Sequence, residues 1–161
     1  MKILIISDTH RQHNNLEKVI AKESPMDLVI HLGDAEGSED YIEAISECPL
    51  EIVAGNNDFF SRLEREKVIT VLGHRMLLTH GHYLGVSLGL DILTDEAKSK
   101  QVDVVLFGHT HIPCIEYREK LLVLNPGSLS YPRQVGKQPS YMVMNIEEKQ
   151  EIQIELKYLK K

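Results

Sequence analysis

The chain of 161 residues lacks long apolar runs, and none exceeds the four residues 3–6 near its start. A helix that spans a bilayer needs about 20 apolar residues, so we expect no membrane segment. The first run is also too short for a secretory signal. Cysteine is scarce, and Cys48 and Cys114 show no paired or C-x-x-C spacing. They indicate reduced thiols of a cytoplasmic protein, although one disulfide between them stays open.

Clustered positive charge is missing too. The formal net charge is −6, and no basic stripe is longer than Lys160 and Lys161. A surface for long nucleic acid normally carries a basic footprint, so we do not expect such a partner. A protein that binds phosphate without a basic surface needs another local positive charge, which bound metal ions would supply.

Linkers, repeats and low-complexity segments are also absent, which predicts one domain over residues 1–161. What the chain does contain is a series of short β-rich runs that end at Gly, Asp, Asn or His. In the first half, runs at 2–7, 27–32 and 51–54 alternate with helix-like stretches at 15–23 and 38–47. This alternation is typical of β-α-β units with parallel strands.

The second half is richer in β-structure. Residues 68–72 and 75–79 indicate a hairpin, 90–100 a helix, and 103–107 another buried strand. Further strands are predicted at 114–118, 121–124, 141–146 and 152–158. We therefore expect an α/β fold in which two sheets pack face to face and the helices lie outside.

Side chains that bind metals gather where these β-runs end, the position at which open α/β sheets place their sites. Single pieces, such as a Gly-Asp dipeptide, occur by chance as turns, but the ordered set indicates a metal centre. The segments are Asp8-Thr9-His10, Gly33-Asp34, Gly55-Asn56-Asn57-Asp58, His80-Gly81-His82 and Gly108-His109-Thr110-His111.

The spacing within these segments has a geometric interpretation. In an extended segment, residues i and i+2 point to the same side, so Asp8 and His10 should reach one cavity, as should His109 and His111. The preceding glycines allow sharp turns and close approach to an ion. Nitrogen and oxygen ligands without thiolate favour Mn²⁺, Fe²⁺, Zn²⁺ or Ni²⁺ over Ca²⁺ or Mg²⁺ bound purely by oxygen.

The motif order D-x-H, GD, GN, H and GHxH resembles the calcineurin-like metallophosphoesterase superfamily over residues 8–111. Within the superfamily, the chain resembles the small single-domain phosphodiesterase branch in its short length, in residues 125–128 and in Pro132-Arg133. That branch also resembles the retromer subunit of the vacuolar-sorting 29 type. The resemblance implies a four-layer α/β/β/α fold, a β-sandwich flanked by helices. It also implies a phosphodiesterase that cleaves a small phosphodiester with a hydroxide bridging two divalent metal ions. Mn²⁺ is the first expectation, with Zn, Fe, Ni or Mg as alternatives.

Carried over by position, the resemblance implies a first metal ion held by Asp8, His10, Asp34 and His111. The second would be held by Asp34, Asn56, His80 and His109, so that Asp34 bridges the two. Asp58 lies outside this ligand set.

The chain departs from the superfamily at Asn57, where many members have a His assigned as general acid. Asn cannot transfer a proton in that way, which puts the cleavage of poor leaving groups in doubt. His82 is the candidate replacement, although a supporting, substrate-facing or merely exposed position is equally open for it. Asn57 and His82 are therefore candidates for catalysis and substrate binding. Arg133 would contact a substrate phosphate or pair with surface carboxylates.

Two functions stay open, an enzyme and a protein-binding scaffold of the same fold with weak or no turnover. The complete set of seven ligand residues favours the enzyme. The sequence does not define the oligomeric state, so a homo-oligomer stays open. His31 lies inside a predicted strand, where a hydrogen-bonded structural role is expected.

Overall fold

In the computed structural model, which describes residues 1–148 and 150–160, the chain forms ten β-strands and three α-helices. The strands are β1 Lys2–Ile6, β2 Leu28–His31, β3 Leu50–Ile52, β4 Glu66–Val71, β5 His74–Thr79, β6 Val104–Leu106, β7 Cys114–Arg118, β8 Leu121–Asn125, β9 Ser140–Asn145 and β10 Gln153–Tyr158. The helices are α1 His13–Glu23, α2 Glu39–Ser46 and α3 Asp91–Ser99, and one 3-10 turn covers His82–Leu84. No helix among the described residues is long and apolar enough to cross a membrane.

The strands pair into two five-stranded sheets. The first has the order β10-β9-β1-β2-β3, in which β1, β2 and β3 are parallel and β9 runs antiparallel to β1. The second has the order β4-β5-β6-β8-β7, in which β5, β6 and β8 are parallel. Each sheet therefore collects the carboxyl ends of several parallel strands along one edge.

The apolar core forms three layers, one between the two sheets and one between each sheet and its helices, because the central strands are buried on both faces. Ile5 of β1 faces the second sheet and shares a cluster with Met76 of β5. Leu4 points the other way and packs with Leu16 of α1, while Leu77 of β5 lies in the cluster that contains α3. A strand covered on both faces needs an uninterrupted apolar sequence, which is why these runs do not alternate.

The predicted fold class is confirmed. Helices α1 and α2, the first sheet, the second sheet and α3 form four layers, and each predicted strand and helix is present with small shifts of its ends. The halves of the chain do not correspond to the two sheets, however, because β9 and β10 return to pair beside β1. Cys48 and Cys114 are free thiols, as expected.

Candidate metal centre

Seven side chains with metal-binding atoms lie in the loops that follow five strands. The parallel arrangement of β1, β2 and β3, and of β5 and β6, brings these loops to one edge of each sheet. The structure thereby brings together every predicted ligand residue. They are Asp8 and His10 after β1, Asp34 after β2, Asn56 after β3, His80 after β5, and His109 and His111 after β6.

The first group of ligand atoms comes from Asp8, His10 and His111, whose ligand atoms lie within 4.8 Å of one another. Nε2 of His111 is 3.0 Å from Oδ1 of Asp8 and 3.5 Å from Nε2 of His10. Nδ1 of His111 donates to the carbonyl oxygen of Tyr131 at 2.7 Å. This bond leaves the Nε2 lone pair of the neutral ring free to bind a metal ion.

The second group comes from Asn56, His80 and His109. Oδ1 of Asn56 is 3.0 Å from Nε2 of His80 and 2.9 Å from Nδ1 of His109. Nδ1 of the buried His80 donates to the carbonyl oxygen of Leu32 at 2.7 Å, so Nε2 of the neutral ring carries a lone pair. Two atoms that face each other with lone pairs repel unless a cation lies between them.

Asp34 lies between the two groups. Its Oδ2 is 3.7 Å from Nε2 of His10 and 3.6 Å from Nε2 of His80. Asn57 holds the carboxylate in place, since its backbone N–H donates to Oδ1 at 2.8 Å and its side-chain amide donates to Oδ2 at 2.6 Å. Asp8 is similarly central, with Oδ1 3.9 Å from Nε2 of both His10 and His80.

Oδ1 of Asp8 tests whether these residues fit a metal ion. Asp8 is fully buried, and its Oδ2 accepts hydrogen bonds from the Ser7 hydroxyl at 2.6 Å and the His109 N–H at 3.2 Å. Within the described residues, no side chain donates to Oδ1 with hydrogen-bond geometry, although Nε2 of His111 lies 3.0 Å away. A buried, unpaired carboxylate oxygen is costly, whereas a divalent cation would satisfy it together with the neighbouring imidazole lone pairs. The residues therefore fit divalent metal ions.

Metal binding requires deprotonated ligands, and the pKa shifts of Asp8 and His109 favour that form. Burial by itself raises the pKa of Asp8, but the neighbouring His111 and His80 outweigh it, so the pKa is lowered and the group is a carboxylate. Burial lowers the pKa of His109, and His80 lowers it further. Burial also acts to lower the pKa of His111, but contact with Asp8 outweighs it and the pKa is raised.

The backbone at the ligands corrects the predicted geometry. Five ligand residues have φ in the left-handed region, so the two pairs spaced by two residues do not lie in extended segments. Their side chains converge because the chain turns sharply after each strand. Clustered backbone strain of this kind is typical of functional sites. The values are 54° at Asp8, 46° at His10, 59° at Asp34, 67° at His109 and 59° at His111.

Two glycines let the second and third ligand loops touch. Gly33 has φ 98°, and a Cβ there would lie 2.7 Å from the backbone nitrogen of Gly55. A Cβ at Gly55 would collide with Oδ1 of Asp34. The close approach at these positions is to the neighbouring ligand loop, and the predicted close approach to an ion stays a prediction.

Asp58 is a functional residue that the sequence did not reveal. It is buried, and its carboxylate accepts three backbone N–H groups. Oδ2 accepts from Asp34 at 2.8 Å and from Gly55 at 2.7 Å, and Oδ1 accepts from Glu36 at 2.6 Å. It therefore joins the second and third ligand loops. The Gly-Asn-Asn-Asp segment gave no signal for this, because two of the three bonds depend on a contact with the other loop.

Other supporting residues orient individual ligands. Glu36 places Oε1 2.7 Å from Nδ1 of His10, which leaves Nε2 facing the centre. The Ser128 hydroxyl donates to the carbonyl oxygen of Asp8 at 2.9 Å. The amide of Asn125 donates to the carbonyl oxygen of Gly108 at 2.8 Å. The turn at 125–128 therefore fixes the first and last ligand loops against each other.

His31 has the predicted structural role. It is fully buried, its Nδ1 accepts from the Gly33 N–H at 3.2 Å, and its Nε2 is 2.9 Å from the Thr9 hydroxyl. Because Nδ1 is an acceptor, Nε2 carries the proton and donates to Thr9. Burial lowers the pKa of His31 to about 4, so the ring is neutral and links the first two ligand loops.

His82 adjoins the second group without contacting its ligand atoms closely. Its ring centre is 5.4 Å from that of His80 and 6.1 Å from that of His109. Its buried Nδ1 has no hydrogen-bond partner among the described residues, and burial lowers its pKa. Its role as general acid stays a prediction, as do the catalytic and substrate-binding roles of Asn57.

Two cavities open beside the centre. The phenylalanine cleft has a volume of about 710 Å³ and includes Glu36 and Asn57, which support the ligands. It is named for Phe59 and Phe60, which also line it.

The arginine cleft has a volume of about 570 Å³ and includes the ligands His10 and His111 together with Arg133 and Lys137. Arg133 is exposed, and its backbone N–H donates to the carbonyl oxygen of His111 at 3.0 Å. This position suits the predicted contact between Arg133 and a substrate phosphate.

Known proteins resemble this chain in sequence. The family model described as the calcineurin-like phosphoesterase superfamily domain matches residues 1–149. A probable metallophosphoesterase of Bacillus subtilis (strain 168) is 36% identical over 148 residues, which cover 91% of this chain and 85% of the relative.

Solved structures resemble it in fold. A conserved uncharacterised protein from Streptococcus pneumoniae TIGR4, described as a predicted phosphoesterase, has a TM-score of 0.83 at 26% identity and covers 96% of this chain and 87% of its own. An archaeal phosphodiesterase has a TM-score of 0.78 at 25% identity, and the match covers 99% of this chain and 100% of the archaeal protein. Zinc-complexed Vps29 from Entamoeba histolytica has a TM-score of 0.78 at 23% identity, and the match covers 98% of this chain and 99% of Vps29. This likeness shows a shared fold.

Proposed function

Since the chain belongs to the calcineurin-like phosphoesterase superfamily, we propose that it is a phosphodiesterase that depends on two divalent metal ions. The observation that carries this proposal is the convergence of seven ligand side chains in two adjoining groups, with a buried carboxylate oxygen, Oδ1 of Asp8, that makes no hydrogen bond within the described residues. Nitrogen and oxygen ligands in two adjoining groups fit a pair of cations better than one.

The first cation would be held by Asp8, His10, Asp34 and His111, and the second by Asp34, Asn56, His80 and His109. Two such cations would lower the pKa of a water molecule to supply an attacking hydroxide and would draw charge from the phosphoryl oxygens. The protein's own contribution is orientation. Glu36, the carbonyl oxygen of Tyr131 and that of Leu32 each hold one imidazole so that its other nitrogen faces the centre.

A small phosphodiester suits the surroundings of the centre. The two clefts adjoin it, so one ester arm could extend into each. Arg133 would hold a phosphoryl oxygen from the arginine cleft. The archaeal neighbour is itself called a phosphodiesterase, which supports the same substrate class for this chain.

Mn²⁺ is the metal that we propose first, with Zn²⁺, Fe²⁺, Ni²⁺ and Mg²⁺ as alternatives, because carboxylate, amide and imidazole ligands suit all of them. The zinc complex of Vps29 supports divalent metal binding by this fold. We also propose a cytoplasmic protein with a small phosphodiester substrate and without a long nucleic acid as partner.

An activity panel tests the proposal. Metal-free protein is reconstituted with each cation and assayed against bis(p-nitrophenyl) phosphate and p-nitrophenyl phosphate. We expect hydrolysis that needs added metal and favours the diester. Absence of turnover with every cation, in protein shown to bind metal, would contradict it.

Such a result would favour the second candidate, a catalytically weak or inactive protein-binding scaffold. Asn57 supports that candidate, because its side chain donates to Asp34 and cannot act as a general acid.

A further inference from the structure

The phenylalanine cleft is positioned to contact the organic part of a substrate. It shares Glu36 and Asn57 with the metal centre, and these residues bond to the ligands His10 and Asp34. A phosphodiester whose phosphorus lies at the centre would therefore extend one ester arm into this cleft. The lining of the cleft should then match the chemistry of that arm.

Two consecutive aromatic residues of the lining expose their side chains to solvent. Phe59 is 77% exposed and Phe60 is 101% exposed. Adjacent large apolar side chains with this exposure mark binding surfaces. An exposed ring face stacks on any flat ring, and stacking of one base on an aromatic side chain strengthens binding by about tenfold or more. The arm should therefore carry a flat ring.

The charges around the rings favour a polar, uncharged ring over a second phosphate. The cleft is lined by two guanidinium groups, of Arg11 and Arg62, and by four carboxylates, so it carries no excess of positive charge that would favour a second phosphate; the carboxylates belong to Glu36, Glu39, Asp40 and Asp58. The carboxylates can accept hydrogen bonds from amino or imino groups of a ring, and the guanidinium groups can donate to its carbonyl or nitrogen acceptors. The arginine cleft differs, since Arg133 and Lys137 line it without a carboxylate among the described residues.

We propose that the substrate carries a nucleoside as one ester arm and that its base stacks on Phe59 and Phe60 in the phenylalanine cleft. This assignment rests on the proposed phosphodiesterase function for the reaction, but recognition of the base does not depend on the metal centre. A single nucleoside also agrees with the net charge of −6, which disfavours a long polynucleotide.

Binding of the base is tested without metal or catalysis. Adenosine is titrated at millimolar concentration into metal-free, isotope-labelled protein, and amide chemical shifts are followed by NMR. We expect the largest shift changes at residues 57–63. In F59A/F60A they should fall at least fivefold, and in F59L/F60L, which keeps the apolar bulk but no ring face, they should fall nearly as far.

Tyr117→Ala is the matched control, because Tyr117 is an exposed aromatic residue (70%) on β7 and does not line the cleft. It should bind adenosine as the wild type does. Shift changes that are equal in the wild type and F59A/F60A, or that lie elsewhere, would overturn the assignment.

The metal-loaded enzyme gives the second measurement. The kcat/KM for adenosine 5′-(p-nitrophenyl) phosphate is compared with that for methyl p-nitrophenyl phosphate, which has the same leaving group. We expect a ratio of about ten or more, because one base is stacked, and a ratio near one in F59A/F60A. Metal-dependent cleavage of both diesters at equal rates would overturn the nucleoside assignment and leave the proposed function intact. Adenosine binding at the cleft without cleavage of either diester would support recognition of the base and contradict the proposed phosphodiesterase function.

Discussion

Asp58→Asn tests whether the metal centre depends on a residue that binds no metal. The carboxylate accepts three backbone N–H groups, two at Oδ2 from Asp34 and Gly55 and one at Oδ1 from Glu36. An amide has a single acceptor oxygen. In either orientation its NH₂ group must face at least one backbone N–H, and the bonds that remain lose their charge assistance.

The expected magnitude follows from these bonds. A hydrogen bond to a charged group contributes about 1.5–3 kcal/mol, and a buried donor left unpaired costs about 1–3 kcal/mol. These contributions overlap, so we expect the free energy of unfolding of metal-free protein to fall by about 3 kcal/mol. Because the second and third ligand loops would loosen, Mn²⁺ affinity should fall by about 10–100-fold.

The assays are urea unfolding of metal-free protein and calorimetric titration with Mn²⁺. Asp103→Asn is the matched control, since Asp103 is exposed and its carboxylate accepts one backbone N–H, from Arg75 at 2.9 Å. It should change stability little and metal affinity not at all. If Asp58→Asn matched the control in both measurements, the loops would not depend on this carboxylate and the reasoning would be wrong.

Three further predictions concern stability, metal bridging and leaving groups. Burial alone raises the pKa of Glu23, but hydrogen bonds from Tyr141 and Lys157 outweigh it and lower the pKa below its ordinary value of 4.5. The ionised form therefore stabilises the fold above pH 4.5. The difference in free energy of unfolding between wild type and Glu23→Gln, measured in urea, should shrink as the pH falls below that value. A difference that stays constant with pH would refute this. Asp34→Asn should abolish hydrolysis and weaken the binding of both cations in calorimetry. If the binding of only one cation were weakened, Asp34 would not be the bridge. Asn57→His should raise kcat on diesters with alkoxide leaving groups by about 10²-fold or more and do little for nitrophenolate, whereas equal effects on both would mean that protonation is not limiting. If His82 already acts as the acid, Asn57→His should be neutral, and His82→Ala should instead slow the cleavage of diesters with alkoxide leaving groups and change that of nitrophenyl diesters little.

The ligand residues were predictable because the signal was local. A polar side chain directly after a buried strand can be identified from neighbouring residues, and parallel strands bring such positions to one edge. Asp8, Asp34 and His109 each follow a strand in this way. The resemblance to the superfamily's ordered motifs then implied seven ligand residues, and their side chains meet in the structure.

The supporting contacts were not predictable because they join distant loops. Asp58 bonds to backbone N–H groups of the Asp34 loop, and β9 pairs with β1 across most of the chain. Neither partner can be identified from periodicity. The extended geometry predicted for Asp8 and His10 was wrong, because left-handed φ at non-glycine residues is imposed by the surrounding fold and not by residue type.

Metal stoichiometry shows whether one cluster of side chains holds two divalent cations. Mn²⁺ is titrated into metal-free wild-type protein and His80→Ala by calorimetry, with bound metal counted by mass spectrometry of the dialysed samples. We predict two ions per wild-type chain and one in His80→Ala, in which the second group loses a ligand but Asp8, His10 and His111 are intact. Wild-type protein that retains fewer than two Mn²⁺ ions, or His80→Ala that retains two ions with unchanged affinity, would contradict a centre of two cations.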